Sequence, residues 1–253
     1  MLPAVRLLKL LLAAPLLATT FAAKAADVSV AVAANFTAPM LRIAAAFERE
    51  TGHRALPAFG STGRFYAQIR NGAPFQLLLA ADAETPARLE SESMAVPGSR
   101  FTYATGRLAL WSASPGLIDA NGDILRQPGT AKVAVADPRI APYGAAAMQA
   151  MQNLGVLPAL QPRLVQGESI GQAHQFVDSG TAPMGFVAWS QVQVNGKLTR
   201  GSAWLVPATL HAPLRQDAVL LRPGRDNEAA LALARFLRGD TARAIIRAHG
   251  YEL

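Results

Sequence analysis

The chain contains no cysteine among its 253 residues. That absence excludes disulfide bonds, thiolate metal sites and thiol nucleophiles, and it argues against a lipid anchor, which needs a lipobox cysteine. Stability must therefore come from a packed core, and a sequence that is 51% hydrophobic can supply one at this length. Charged residues are sparse at 16%. They form no basic run with interleaved aromatics, which a surface tracking nucleic-acid phosphates would need. Catalytic signatures are thin as well. There is no G-x-x-x-x-G-K-[ST], no G-x-G-x-x-G after a strand and no H-E-x-x-H, and the G-x-S-x-G spacing occurs at Gly167-Glu168-Ser169-Ile170-Gly171 without a histidine beside the serine. His53, His174, His211 and His249 are scattered, with no two within four residues of each other.

The first 26 residues read as an export leader. Arg6 and Lys9 precede an apolar run from Leu10 to Leu17, and Ala23-Lys24-Ala25 supplies an A-x-A cleavage pattern. The uncharged stretch from Leu10 to Ala23 is shorter than the roughly 20 residues of a spanning helix. Cleavage near Ala25 or Ala26 is expected, giving a soluble mature protein. No later segment is long and apolar enough to cross a bilayer. Setting aside Arg6, Lys9 and Lys24 from 24 basic residues leaves 21 against 17 acidic ones, a net charge of +4. The basic residues then read as an ordinary solvated surface.

Strand and helix patterns alternate along the rest. Val28 to Val32, Arg54 to Phe59, Phe75 to Leu79, Arg107 to Ser112, Lys132 to Ala136, Pro183 to Ala188 and Ala218 to Leu221 read as strands. A helical face over residues 39 to 52 is marked by Met40, Leu41, Ile43, Ala44 and Phe47, with Thr37 as its expected cap and Gly52 as its end. Further helices are expected after Gly63, from about Gly144 to Leu154, from Ile170 to Ser179, from Asn227 to Leu237 and from Thr241 to Ala248. The strands lack polar alternation, which predicts an α/β fold with parallel sheets covered on both faces. Extended segments near Phe101 to Leu110 and His211 to Leu221 are candidates for crossings between two lobes.

Four strand-to-helix junctions share one chemistry. They are Ala33-Ala34-Asn35-Phe36, Gly60-Ser61-Thr62-Gly63, Pro142-Tyr143-Gly144 and Glu168-Ser169-Ile170-Gly171. Open α/β sheets place ligands at such ends, where helix N-termini offer free N–H groups and a favourable dipole for an anion. Asn35, Ser61 and Thr62 add neutral donors. For any one junction, helix capping explains the same residues. Arg64 lies beside the second junction, and a salt-bridged or exposed arginine accounts for it. Asp82 and Asp137 end strands and are expected to order loops, and Trp189 is either a cleft wall or an ordinary buried aromatic. A secreted hydrolase using Ser61 or Ser169 would need an adjacent histidine, and none is local.

The segments NGAPFQLLLAADAETPARL (71–89), ADPRIAPYG (136–144), ESIGQA (168–173) and APMGFVA (182–188) together resemble the periplasmic molybdate-binding proteins of ABC importers. The resemblance runs from about Val28 to the C-terminus. It implies a two-lobed type II periplasmic binding protein fold, with one lobe from 27–105 and 212–253, the other from 106–211, and a tetrahedral oxyanion in the cleft between them. It also implies a non-enzymatic, monomeric periplasmic receptor without a cofactor, whose cargo is molybdate or tungstate. The partners it implies are an inner-membrane ABC permease and its ATPase. By position, the anion contacts fall on Ala34, Asn35, Ser61, Thr62, Tyr143 and Ile170, with backbone N–H groups at Ala34, Tyr143 and Ile170. Direct metal ligands are not implied. In part of that family a tyrosine follows G-F-V and contacts the anion. Ala188 stands there in this chain, and Asn35, where that branch has a serine, is the expected replacement. Receptors for sulfate, phosphate or organic anions, and a non-transport sensory module, are the competing assignments. On this view the alanine-rich helix at Gly144 is small and smooth because its N-terminus faces an anion.

Overall fold

The structure is a computed structural model, and it describes residues 25–253; the expected leader up to residue 24 lies outside the described residues. The chain opens with β1 (Asp27–Ala33), a 3-10 turn at Ala34–Phe36, α1 (Thr37–Thr51), β2 (Arg54–Gly60), α2 (Thr62–Arg70), β3 (Leu77–Leu79), α3 (Glu84–Ser91) and β4 (Phe101–Gly106). It continues through β5 (Leu108–Ser112), β6 (Val133–Ala136), α4 (Pro142–Asn153), α5 (Leu157–Leu160), β7 (Leu164–Gly167), α6 (Ile170–Asp178) and β8 (Met184–Ala188). Then come α7 (Trp189–Val192), a short hairpin of β9 (Gln193–Val194) and β10 (Lys197–Leu198), and β11 (Ser202–Leu205). β12 (Leu214–Leu220), α8 (Glu228–Phe236) and α9 (Asp240–Ala248) complete it.

These strands form two five-stranded sheets, ordered β2-β1-β3-β12-β4 and β11-β5-β8-β6-β7. Each is the centre of one lobe. The chain passes from the first sheet to the second between β4 and β5, and returns between β11 and β12. The fully parallel sheets expected from the sequence are not what forms. β1 pairs in parallel with β2 and β3, and β6 with β7 and β8, but β12 runs antiparallel to β3 and β4, and β5 antiparallel to β8 and β11. The antiparallel strands are those that carry the chain between the lobes, so their direction follows from the crossings.

Burial on both faces explains the missing polar alternation. Val28, Val30 and Val32 of β1 pack with Met40, Ile43 and Phe47 of α1 and Leu233 of α8. Ala31, on the opposite face, packs with Phe65 and Ile69 of α2 and Leu89 of α3. In the second lobe Leu108, Leu110, Val133, Val135 and Phe186 face the alanines of α4, while Trp111, Ala134 and Val187 face Val177 of α6. Leu41, expected on the buried face of α1, is instead 54% exposed. Thr37 begins α1 but does not cap it, since its hydroxyl donates to the Ala34 carbonyl at 2.9 Å. The extra 3-10 turn before α1 uses that residue differently.

The smoothness of α4 also has a packing cause. Ala146, Ala147 and Ala150 are buried in the second core, and a Cβ on Gly144 would collide with the Ala136 carbonyl and lie 3.0 Å from Asp137 C. A larger residue at either place would lift the helix off β6. The small residues set how close the helix N-terminus comes to the end of the strand.

Candidate functional site

The four junctions converge. Ala34, Asn35, Ser61, Thr62, Tyr143 and Ile170 all line one small cavity, and the remaining lining residues are Ala, Gly and Pro. No charged side chain lines it. The first two junctions follow β1 and β2, and the other two precede α4 and α6, so both lobes contribute.

The backbone supplies donors because first-turn N–H groups have no helical acceptor. Among the described residues, the N–H groups of Ala34, Thr62, Tyr143 and Ile170 find no acceptor in the chain. α4 begins with Pro142 at its first position, where the missing N–H costs nothing. Side chains add to the set. Ser61 Oγ is buried without a hydrogen-bond partner among the described residues. Thr62 Oγ1 accepts from Ala81 N–H at 2.9 Å, leaving its proton free to donate.

Asn35 is held from behind. Its Nδ2 donates to Gln216 Oε1 at 2.8 Å and to Tyr251 Oη at 2.9 Å, while its Oδ1 is buried without a partner. Gln216 accepts as well from Tyr103 Oη at 3.0 Å and donates to Tyr143 Oη at 3.1 Å. Ser190 Oγ donates to the Asn35 carbonyl at 2.9 Å, tying α7 of one lobe to the junction of the other. Burial pushes the Tyr103 and Tyr143 hydroxyls well above the ordinary phenol range, and Tyr251 upward too, its hydrogen bonds to Ser190 and Asn35 partly opposing the shift. The whole network is therefore neutral at physiological pH.

The groups considered for catalysis have structural roles. Asp82 accepts from the Thr85 N–H at 2.8 Å and orders the start of α3. Asp137 is paired with Arg139, whose guanidinium holds the carboxyl below its usual range. Ser169 caps α6 by accepting from Gln172 N–H at 3.3 Å, and Ser61 has no base hydrogen-bonded to it. His174 stacks on Trp111, and burial lowers its pKa. Trp189 packs on the second lobe and does not line the cavity. No metal-holding cluster of acids and histidines exists among the described residues, and none of their helices is long and apolar enough to cross a membrane.

The sequence profile of the bacterial extracellular solute-binding proteins matches residues 28–252. The chain belongs to this family. Among individual relatives of this solute-binding protein, the molybdate-binding protein ModA of Azotobacter vinelandii is 56% identical over 232 residues, covering 92% of each chain. ModA of Rhodobacter capsulatus is 52% identical over 229 residues, covering 90% of this chain and 89% of its own. The solved structure of the Azotobacter vinelandii periplasmic molybdate-binding protein superposes with a TM-score of 0.86 at 42% identity, covering 89% of this chain and 99% of that one. The two-lobed type II periplasmic binding fold is thus established, and a solute-binding protein of a transporter is not an enzyme.

In this solute-binding protein the lobes meet around the cavity. Gly63 N–H donates to the Ile140 carbonyl at 2.9 Å. A Cβ on Gly63 would lie 2.9 Å from Ile140 Cα, so only glycine permits that approach. Arg64 forms an exposed ion pair with Glu168 across the same seam, outside the cavity. A larger open groove of about 500 Å³ adjoins the cavity through Ala81, Ala141 and Pro142, but its walls carry Asp82, Glu84, Arg88, Arg139 and Arg215. Two buried side-chain atoms without a partner among the described residues, Asn35 Oδ1 and Ser61 Oγ, belong to residues lining the small cavity, and none belongs to a residue lining the groove. Ala188 is fully buried and does not line the cavity.

Proposed function

We propose that this protein captures molybdate, and tungstate with it, in the periplasm and delivers the ion to an inner-membrane ABC permease driven by its ATPase. The observation that carries the proposal is the convergence of four donor-rich junctions from both lobes on one uncharged cavity. A fully ionised tetrahedral dianion has only acceptors. It is best met by donors whose fixed dipoles need no counter-charge. The relatives named molybdate-binding protein support the choice of cargo.

In this assignment Ala34, Tyr143 and Ile170 present backbone N–H groups, and Ser61 and Thr62 present hydroxyl protons. Asn35 presents its amide. The ion is cargo, held through oxygen, with no protein atom bonded to the metal and no cofactor required. The lobes comprise 27–105 with 212–253, and 106–211; strand membership of the two sheets supports that division. Closure of the lobes around the ion gives a monomeric receptor the shape that its permease recognises. Size selects the cargo, because donors fixed at the span of a larger oxyanion are too far apart for sulfate.

Thermal unfolding of the ligand-stripped mature protein with molybdate, tungstate, sulfate and phosphate tests the assignment. An ion at about 1,000 times its Kd adds roughly 4 kcal/mol of stability. The expected result is a large shift with molybdate and tungstate and none with sulfate. A shift with sulfate or phosphate alone overturns the cargo. No shift with any of the four overturns the transport role and leaves a sensory module of the same fold.

A further inference from the structure

The placement of Asn35 raises a chemical conflict. Its amide nitrogen spends both hydrogens on Gln216 Oε1 and Tyr251 Oη, so the amide atom left without a partner is the oxygen, on a residue that lines the cavity. An amide oxygen repels an ionised oxyanion. The two ends of an amide are alike in shape, however, and the surrounding network can be satisfied in a second orientation.

With both amides reversed, Gln216 Nε2 donates to Asn35 Oδ1 and to Tyr103 Oη. Tyr103 Oη keeps its bond to the Ala80 carbonyl, at 2.9 Å. Tyr143 Oη then donates to Gln216 Oε1, across the same 3.1 Å contact. Tyr251 Oη donates to Asn35 Oδ1 across the present 2.9 Å contact, and Ser190 Oγ still donates to the Asn35 carbonyl. Tyr251 Oη gives up its own bond to the Asn35 carbonyl for the one to Oδ1. The Asn35 atom left without a protein partner changes from an acceptor oxygen to a nitrogen with two N–H donors, which an entering oxyanion can accept.

We infer that Gln216 is a positioning residue that sets which end of the Asn35 amide faces the cavity, and that the two amides turn together when an oxyanion enters. This rests on the assignment of the cavity as an oxyanion site. Gln216 is fitted for the role by its place in the fold. The register of β12 against β4 shifts between Gln216 and Asp217 because Tyr103 is an extra residue on β4. β12 is covered on both faces, as Ala218 and Leu220 in one core and Val219 and Leu221 in another show, so Gln216 and Asp217 are both buried, at 0% and 1% exposure. Asp217 is taken up by Thr102 and Arg100, at 2.7 Å each. Gln216 alone continues toward Asn35, between Tyr103 of the first lobe and Tyr143 of the second. Gly106 completes the arrangement, since a Cβ there would collide with Tyr143 Oη and Gln216 Nε2.

A double-mutant cycle on molybdate affinity tests the inference, with Asn35→Ala, Gln216→Met and the pair measured by calorimetry on the full mature protein, alongside urea unfolding of each ligand-free variant. Gln216→Met is expected to weaken molybdate binding about tenfold, and to change it less than about twofold in the Asn35→Ala background. Gln216→Glu, nearly isosteric, guards against misfolding of the methionine variant. A carboxylate only accepts, so it pins Asn35 Nδ2 away from the cavity, and affinity should fall at least to that of Asn35→Ala. A merely structural Gln216 lowers the urea midpoint while the affinity costs of the pair add, and that result overturns the inference. So does an Asn35→Ala variant that binds as the wild type does. A wild type that takes sulfate in place of molybdate defeats the cargo assignment alone, and the same cycle run with sulfate still decides the role of Gln216.

Discussion

Removing the Ser61 hydroxyl should move stability and binding in opposite directions. Ser61 is 5% exposed, and its Oγ has no partner among the described residues. A buried hydroxyl without a hydrogen bond costs about 1–3 kcal/mol, so the ligand-free protein carries a penalty that Ser61→Ala removes. The added void is one oxygen at the edge of an existing cavity, which offsets only part of that gain. The ligand-free variant should therefore unfold in urea with a free energy equal to the wild type or up to about 1 kcal/mol higher. Bound to an oxyanion, the wild-type hydroxyl donates to a charged acceptor, worth about 1.5–3 kcal/mol. Loss of that bond should weaken molybdate binding roughly 10- to 150-fold by calorimetry. Thr62 supplies the contrast, because its Oγ1 already accepts from Ala81 N–H. Thr62→Val strands that N–H and should lower stability by about 1–3 kcal/mol while also weakening binding. If Ser61→Ala loses stability as Thr62→Val does, or binds molybdate with wild-type affinity, the hydroxyl is not a reserved ligand donor and the reasoning fails.

Gly63→Ala should leave the unfolding midpoint of the ligand-free protein nearly unchanged but weaken binding, because its Cβ would hold α2 away from Ile140; calorimetry with equal affinity for variant and wild type contradicts this. Glu168→Gln removes the exposed partner of Arg64 across the seam, and stopped-flow release of the ion should be faster at low salt, with the difference vanishing near 1 M salt as screening takes over. Burial raises the Asp82 carboxyl above its ordinary value. Its ionised form is therefore disfavoured by folding, and that group's contribution is present at low pH and lost as pH rises through its folded pKa. Asp82→Asn should accordingly gain stability relative to wild type between pH 3 and pH 7, read as a growing difference in urea midpoints, and a difference that shrinks over that range is the contrary result.

Much of the fold was legible because each signal was local. The apolar runs of β1, β6 and β8 and the amphipathic spacing of α1 depend only on neighbours in sequence. The elements not anticipated were short or weakly patterned: α3, α5, β7, α7, β11 and the β9–β10 hairpin are held by pairing with other strands or by packing, not by periodicity of their own. Strand direction was misjudged for the same reason, since β5 and β12 become antiparallel through the crossings and not through their composition. The six candidate site residues sit where a strand ends and a helix begins, a place visible in sequence, and all six meet at one cavity. What lies behind them was not visible. Asn35 is separated from Gln216 by 181 positions and from Tyr251 by 216, and no motif marks a glutamine or a C-terminal tyrosine as the support of an amide. The bulge at Tyr103, opposite Gln216 and Asp217, is likewise a property of pairing, not of sequence.

The most direct test is anomalous diffraction at the molybdenum edge from crystals of the mature protein grown with molybdate. The account predicts one strong peak, enclosed by Ser61, Thr62, Tyr143 and Ile170, with Asn35 Nδ2 turned toward it. A peak in the charged groove beside Asp82 and Arg139, or none in either place, would contradict it.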